Sequence, residues 1–359
     1  MAGGVARPGR NEVESQAMGP VDKQPSSDFQ SAFSDLRVFR VFQHVPDEQV
    51  ERLAAFTSEQ LIARGQIIYD EGEVGEDFHV VVSGVTEDFC TTLAGRQPVS
   101  RSRVGQLLGE PSFLDGRPRP TTTVAVEKGV LLRFNSAGLR RWLVNDHELG
   151  AALARSFWHS VAAKIRQANQ FMAEIIPLAE AGERPDRVPG QNVELMPGAK
   201  MDLFQETGLS AAELRLLAAT LHAQHFPRDA YLFHEGEAGD SLYIVFDGEV
   251  RISRMSGRGE EPLAILGRGE VFGEMALVDD QVRSADGRAH TEGCTVLALS
   301  QADLDAVLHM PPTAASQFLY LVCGVLCYRL RSMISLLASW RTRLGIGQDN
   351  GEESPEEQR

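Results

Sequence analysis

The chain has 359 residues, 43% of them hydrophobic, with 35 basic against 50 acidic side chains and a formal charge of −15. That length suffices for two domains of ordinary size, each with its own core. So acidic a balance argues against nucleic acid as a direct partner, because phosphate contacts need clustered Lys and Arg.

Residues 1–34 are rich in Gly, Pro, Ser, Gln and charge, a composition expected of a disordered leader. They hold no apolar run of signal-peptide length, which points to the cytoplasm. From Asp35 the pattern turns helical, with Val41, Phe42, Val45, Val50, Leu53 and Ala54 near periods of three and four and Pro46-Asp47 opening a helix. Short strands follow from Leu61. Gln66–Tyr69, Phe78–Val82 and Val130–Phe134 carry the aliphatic and aromatic enrichment of buried strands, and Ser83-Gly84 and Asp247-Gly248 read as tight hairpin turns. Helical character returns over about 137–176. Several short strands with regular turns suggest a β-roll or jelly roll.

Internal comparison organises the rest. Glu71-Gly72 matches Glu235-Gly236, Gly75 matches Gly239, Gly84 matches Gly248, Gly105 matches Gly269, Gly109-Glu110 matches Gly273-Glu274 and Arg119 matches Arg283, each pair 164 positions apart. After the roll the offset slips by one, where Leu139 meets Leu304 and Leu143 meets Leu308. The reading is an α+β chain of two tandem β-roll (jelly-roll) domains each flanked by helices, over 35–176 and 200–345. A linker, 177–199, joins them, and 346–359 is an acidic disordered tail.

Gly269–Ala285 gathers what holds a small phosphate ester with a sugar attached. Gly273 lets the backbone come close, and the free N–H groups opening the Met275–Val278 turn would face an anion. Glu274 can accept from a sugar hydroxyl, Arg283 offers a charged fork of donors, and Ser284 adds a hydroxyl. This spacing resembles the phosphate-binding cassette of cyclic-nucleotide-binding domains, the family of the catabolite activator protein and of cyclic-AMP-dependent kinase regulatory subunits. The resemblance implies that Glu274 meets the ribose 2′-hydroxyl, Arg283 the cyclic phosphate, and Ser284 the phosphate or a purine edge. The ligand-binding set is then Gly273, Glu274, Met275, Ala276, Arg283, Ser284 and Ala285, the ligand cAMP or cGMP, and no further cofactor or metal is expected.

The first copy is read as a degenerate site on Gly109, Glu110 and Arg119. Pro120 stands where the second copy has Ser284, removing a hydroxyl and a backbone N–H; Thr121, Thr122 and Arg117 could compensate in part. In the second copy Asp279, Asp280 and Asp286 either oppose an anion or are ordinary loop charges.

Residues 313–344 open after Pro311-Pro312 and are apolar nearly all round from Phe318 to Tyr328, before Arg329, Arg331, Arg341 and Arg343. The apolar run is too short to span a bilayer. The helix is either packed in the core or, as the resemblance implies, moves over the ligand and forms a homo-oligomer contact. Cys90, Cys294, Cys323 and Cys327 make no Cys-x-x-Cys pair and read as buried thiols. His222 and His225 are read as a structural pair at a helix end, and Tyr69, Phe78 and Tyr243 as core. No Walker loop, Gly-x-Ser-x-Gly elbow or His-Glu-x-x-His motif is present, so catalysis is not expected.

Two functions fit. One is a non-enzymatic cyclic-nucleotide sensor that binds in the second domain and signals to a protein partner through 313–344. The other is a ligand-free scaffold whose two rolls serve oligomerisation or docking. The Arg-Arg-x-Ser/Ala inhibitory sequence of kinase regulatory subunits is not formed by Arg7 and Arg10.

Overall fold

The computed structural model describes residues 39–93, 95–175, 186–204, 210–256, 259–279 and 281–344. The leader, the first part of the linker and the acidic tail lie outside the described residues.

A 3-10 turn at Arg40–Phe42 and helix α1 (Asp47–Leu53) lead into β1 (Thr57–Ile62), β2 (Ile67–Tyr69), β3 (Phe78–Ser83), β4 (Thr86–Thr92), β5 (Gly95–Ser102) and β6 (Leu107–Leu108). Helix α2 (Glu110–Asp115), β7 (Thr122–Ala125), β8 (Gly129–Phe134), α3 (Ser136–Leu143) and α4 (His147–Ile175) complete the first roll. Its strands make two antiparallel sheets in the orders β1-β8-β3-β6 and β2-β7-β4-β5. Alternate apolar side chains, among them Ile62, Tyr69, Val81 and Leu131, bury a core between the sheets. Asn135 caps α3, its side chain accepting from the Gly138 N–H.

The second roll repeats the element order with its strands joined in one seven-stranded antiparallel sheet. It runs β9 (Gln191–Asn192), α5 (Pro197–Asp202), α6 (Ala211–Thr220), β10 (His222–Phe226), β11 (Tyr231–Phe233), β12 (Ser241–Ser256), β13 (Gly259–Leu266), β14 (Val271–Phe272), α7 (Met275–Asp279), β15 (Asp286–Ser300), α8 (Gln301–Leu308) and α9 (Pro312–Leu344). Ser210 with Glu213 and Ser300 with Asp303 form the capping boxes that start α6 and α8.

Three local readings are corrected. Ser83-Gly84 does not close a hairpin: β3 pairs with β8 and β6 while β4 pairs with β5 and β7, so the turn carries the chain from one sheet to the other. At the matching place Gly248 lies inside the single strand β12, between two register shifts against β15. Its φ is +76°, and a Cβ there would sit 2.3 Å from the Gly293 carbonyl oxygen, so only glycine lets the strand bend past its neighbour. Second, the linker contains β9, which pairs with β10 and extends the sheet. Third, His222 and His225 lie on strand β10 rather than at a helix end; His225 Nδ1 is 3.2 Å from Thr295 Oγ1, and His222 Nε2 is 3.6 Å from Asp303. Among the described residues no cluster of three His, Cys, Asp or Glu could hold a metal.

The principal core runs through both rolls. Leu153, Phe157 and Val161 of α4 pack with Leu319, Cys323 and Leu326 of α9, and the Cys323 thiol donates to the Ala154 carbonyl at 3.3 Å. Core packing therefore accounts for the apolar face of α9. By length and composition Pro312–Ser339 is apolar enough to cross a bilayer, a longer segment than the run weighed above; its buried face fills this shared core. All four cysteines are buried and form no disulfide, and burial pushes the Cys294 thiol up to about 12.

His79, on β3, is 5% exposed, and its Nδ1 has no hydrogen-bond partner. Burial first, then Arg119 and Arg133, lower its pKa to about 3. The unfolded chain takes up this proton near pH 6.5 and the folded chain does not, so stability falls as pH drops below about 6.5, by up to ~1.4 kcal/mol per pH unit. Tyr243 occupies the equivalent position in the second roll. His79→Tyr is expected to flatten the loss of urea stability between pH 7 and 5; an unaltered slope contradicts the assignment.

Candidate functional site

Each roll sets its cassette between two strands, β6 and β7 in the first and β14 and β15 in the second, and in each the arginine is buried. Arg283 is 4% exposed and donates from Nη1 to the Gly273 carbonyl. Its guanidinium carbon lies 4.4 Å from the Phe233 ring centre and 5.7 Å from that of Tyr243, so Tyr243 is more than core filling. Glycine is required around it: a Cβ at Gly273 would meet Nη1 at 2.7 Å, and one at Gly239 would meet the guanidinium carbon at 2.8 Å. Burial lowers the Arg283 pKa, with Tyr243, Asp240 and Glu274 acting against that. Among the described residues no carboxylate comes within 4 Å of it, and its Nε has no hydrogen-bond partner.

A cavity of about 40 Å³ opens beside this group. It is lined by Gly273, Glu274, Met275, Ala276, Arg283, Ser284 and Ala285, together with Phe233, Ile252, Phe272 and Arg329. All seven residues singled out in the second cassette thus come together on one surface. Ser284 Oγ lies 3.8 Å from Met275 Sδ, a weak contact that leaves the hydroxyl disposable. Asp286 does not oppose an anion here. It is 1% exposed, accepts from the Glu235 N–H at 2.8 Å and sits 3.5 Å from His234 Nδ1, holding the β11 end in place. Asp280 and the side chain of Asp279 lie outside the described residues.

Glu274 carries the feature that sequence reading missed. It is 1% exposed, and its Oε1 accepts from Arg329 Nη1 of α9 at 2.8 Å, while Arg329 Nη2 donates to the Val271 carbonyl. Its second oxygen, Oε2, is buried with no hydrogen-bond partner. A buried carboxylate oxygen left in this way costs free energy that a donated hydrogen bond recovers.

The first cassette has the same skeleton and a different filling. Arg119, 4% exposed, donates to the Gly109 carbonyl at 2.9 Å and the Asp77 carbonyl at 2.7 Å, and lies 4.4 Å from the centre of the Tyr69 ring. Glu110 is fully buried with both oxygens taken: Oε1 by Ser160 Oγ at 2.7 Å and Oε2 by Lys164 Nζ at 2.9 Å. Lys164 also lies 3.9 Å from Asp88, whose carboxylate accepts from Ser100 and Thr123. In the second roll the position of Asp88 is held by Ile252. Thr122 accepts from the Glu71 N–H at 2.9 Å, as Asp286 does from Glu235, so it is committed to the turn and does not replace the missing hydroxyl.

Lys164 and Arg329 are 165 positions apart, the offset that follows the roll. Each comes from the long helix after its roll and reaches back to that roll's cassette glutamate. The repeat itself was the signal that would have found them. Two residues further on, Arg331 forks onto Asp115 at the end of α2, at 2.8 and 3.0 Å, and donates to the Pro118 carbonyl at 2.8 Å. Helix α9 is thereby tied to both cassettes.

Comparison with known proteins finds the cyclic nucleotide-binding domain at residues 59–146 and again at 223–310. The chain is 23% identical over 250 residues to a cAMP-dependent protein kinase regulatory subunit of Mucor circinelloides, covering 70% of this chain and 48% of that protein. It is 24% identical over 297 residues to the corresponding subunit of Blastocladiella emersonii, covering 79% of this chain and 63% of the other. To a cyclic AMP receptor protein of Thermus thermophilus it is 36% identical over 125 residues, covering 34% and 56%. The chain thus spans about half the length of several curated relatives that it matches. A solved regulatory domain of Toxoplasma gondii PKA with cAMP aligns over 83% of this chain and 96% of that one, at 20% identity and a TM-score of 0.32.

Proposed function

The chain carries two domains of the cyclic-nucleotide-binding family in tandem, and we propose that it is a regulatory protein that takes cAMP or cGMP in the second domain and reports the event to a protein partner through α9. One observation carries this reading. Glu274 Oε2 and Arg283 Nε are both buried without a partner beside the same cavity, one suited to a sugar hydroxyl and the other to a phosphate oxygen. The first domain offers no such vacancy at its glutamate, since Ser160 and Lys164 saturate Glu110.

A cavity of about 40 Å³ is far below the roughly 300 Å³ of the smaller ligand sites. The ligand therefore enters only as the wall on the α9 side withdraws. Arg329 is the part of that wall bound to Glu274, so a ribose hydroxyl and the arginine compete for one carboxylate. A ligand shifts such an equilibrium only by its difference in affinity between the closed and open forms. Contacts of the ligand to Glu274 and Arg283 that only the open form permits supply that difference, and release of Arg329 moves α9, the element a partner would read.

The small cavity also favours the second reading, a scaffold in which neither domain takes a ligand. Thermal unfolding with cAMP and with cGMP separates the two. Ligand at a hundred times its Kd is expected to add about 2.7 kcal/mol to stability, and flat curves with both nucleotides leave the scaffold. Arg329→Ala is expected to lower the melting temperature of the free protein and to tighten nucleotide binding about tenfold, the scale of one charge-assisted hydrogen bond. Weaker binding in that variant would make Arg329 part of the grip on the ligand and end the competition account.

A further inference from the structure

Beyond the cassettes, a large cavity lies between the two domains. It holds about 660 Å³ and is walled by α4, by the β5–β6 connection, and by α7 and α8 of the second domain. That volume falls within the roughly 300–1,000 Å³ range of small-molecule sites. Arg155 of α4 stands in its wall, half-buried. Among the described residues no carboxylate lies within 4 Å of its guanidinium, and its one hydrogen-bond contact is His44 Nε2 at 3.4 Å. Burial acts first to lower the Arg155 pKa, the mark of a cation taken partly out of water without a full counter-charge.

The surroundings define what would settle there. His44 and His159 stack with their ring centres 6.0 Å apart, and burial, with Arg155 and His159, lowers the His44 pKa to about 4, leaving it neutral at pH 7. Lys164 also lines the cavity, with its charge committed to Glu110. Across the space Asp305 of α8 lies beyond ion-pair distance of Arg155 and can accept from a ligand donor. Leu107, Leu277 and Leu304 supply apolar wall. We propose that this interdomain cavity is a second ligand site, taking a small organic anion whose charged group meets Arg155 and whose flat or apolar body lies against Leu277 and Leu304. The site goes beyond the cassette reading and uses none of the second cassette's polar groups. It is nevertheless in contact with the cassette helix: Leu277 and Val278 of α7 face the cavity, while Met275 and Ala276 face Arg283.

The probe is 1-anilinonaphthalene-8-sulfonate, a flat organic anion of suitable size, titrated by fluorescence into the full chain. Saturable binding at one site per chain is expected. Arg155→Gln should weaken it about ten- to hundred-fold, the range for losing a hydrogen bond to a charged group, and Arg155→Lys should restore part of it. Ala163→Phe, which fills the cavity from α4, should abolish binding and keeps the test open if Arg155→Gln unfolds. Arg283→Gln should leave the titration unaltered, so that failure here and failure of the cassette reading stay distinguishable. Non-saturating binding, binding indifferent to both cavity variants, or binding lost in Arg283→Gln overturns the proposal.

Discussion

Replacing Arg283 with glutamine is expected to remove nearly all of the stabilisation that a cyclic nucleotide confers, while the same change at Arg119 leaves it in place. Arg283 presents a charged fork of donors, and each charge-assisted hydrogen bond to a phosphate contributes roughly 1.5–3 kcal/mol. Losing two such bonds weakens binding by a factor of a hundred or more. At a ligand concentration one hundred times the original Kd, the gain then drops from about 2.7 to about 0.4 kcal/mol. The cation also rests on Phe233 and Tyr243, so glutamine gives up a ring contact worth about 0.5–2 kcal/mol and the free protein should melt slightly lower. Arg283→Lys keeps the charge without the planar fork and should fall between. The readout is the melting shift with each nucleotide in all three variants. A shift that persists in Arg283→Gln and vanishes in Arg119→Gln would put the ligand in the first domain.

Lys164→Met is expected to be the most damaging single change to stability. The lysine is 6% exposed, 2.9 Å from Glu110 and 3.9 Å from Asp88, so methionine leaves two carboxylates in the interior without their cation. Breaking a buried pair from one side costs about 3–5 kcal/mol. Adding Glu110→Gln should recover most of the loss, because the charge then goes with its partner. The pH dependence has a definite sign. Burial works to lower the Lys164 pKa, but Glu110 and Asp88 outweigh it and the net shift is upward. Its contribution is therefore complete below the unfolded lysine value near 10.4 and is lost as pH rises through the higher folded value. Urea midpoints should keep this contribution from pH 8 to about 10.4 and lose it above that for the parent protein, a loss that Lys164→Met should not show. A variant as stable as the parent at pH 8 would refute the network.

The doubled roll was legible because it is written in glycines. Gly84 and Gly248, Gly105 and Gly269, Gly109 and Gly273 all take positive φ, where other residues are strained, so the 164-residue offset marks a backbone requirement. Strands β4 and β5 were not legible. Thr86–Thr92 and Gly95–Ser102 are polar, and among what they bury are Thr86, Asp88, Gln97, Ser100 and Ser102, with Asp88 accepting from Ser100 and Thr123, rather than a continuous apolar face. The seven residues of the second cassette were found together, since their spacing is local. The cations on Glu110 and Glu274 were not. Lys164 lies in an Ala-rich helix and Arg329 after an apolar run, 54 and 55 positions from their carboxylates, and nothing local marks either as facing inward. Only superposing the two halves past the roll would have shown two basic residues at one place.

Arg329 and Arg331 lie two positions apart on α9, and residues so spaced on an α-helix point about 200° away from each other. The rod is therefore clamped from nearly opposite sides, by the second cassette on one flank and by the first on the other. Rolling it to free the first jaw turns the second through the same angle. The first domain, through Asp115, thus acts as a detent against any such turn of the rod.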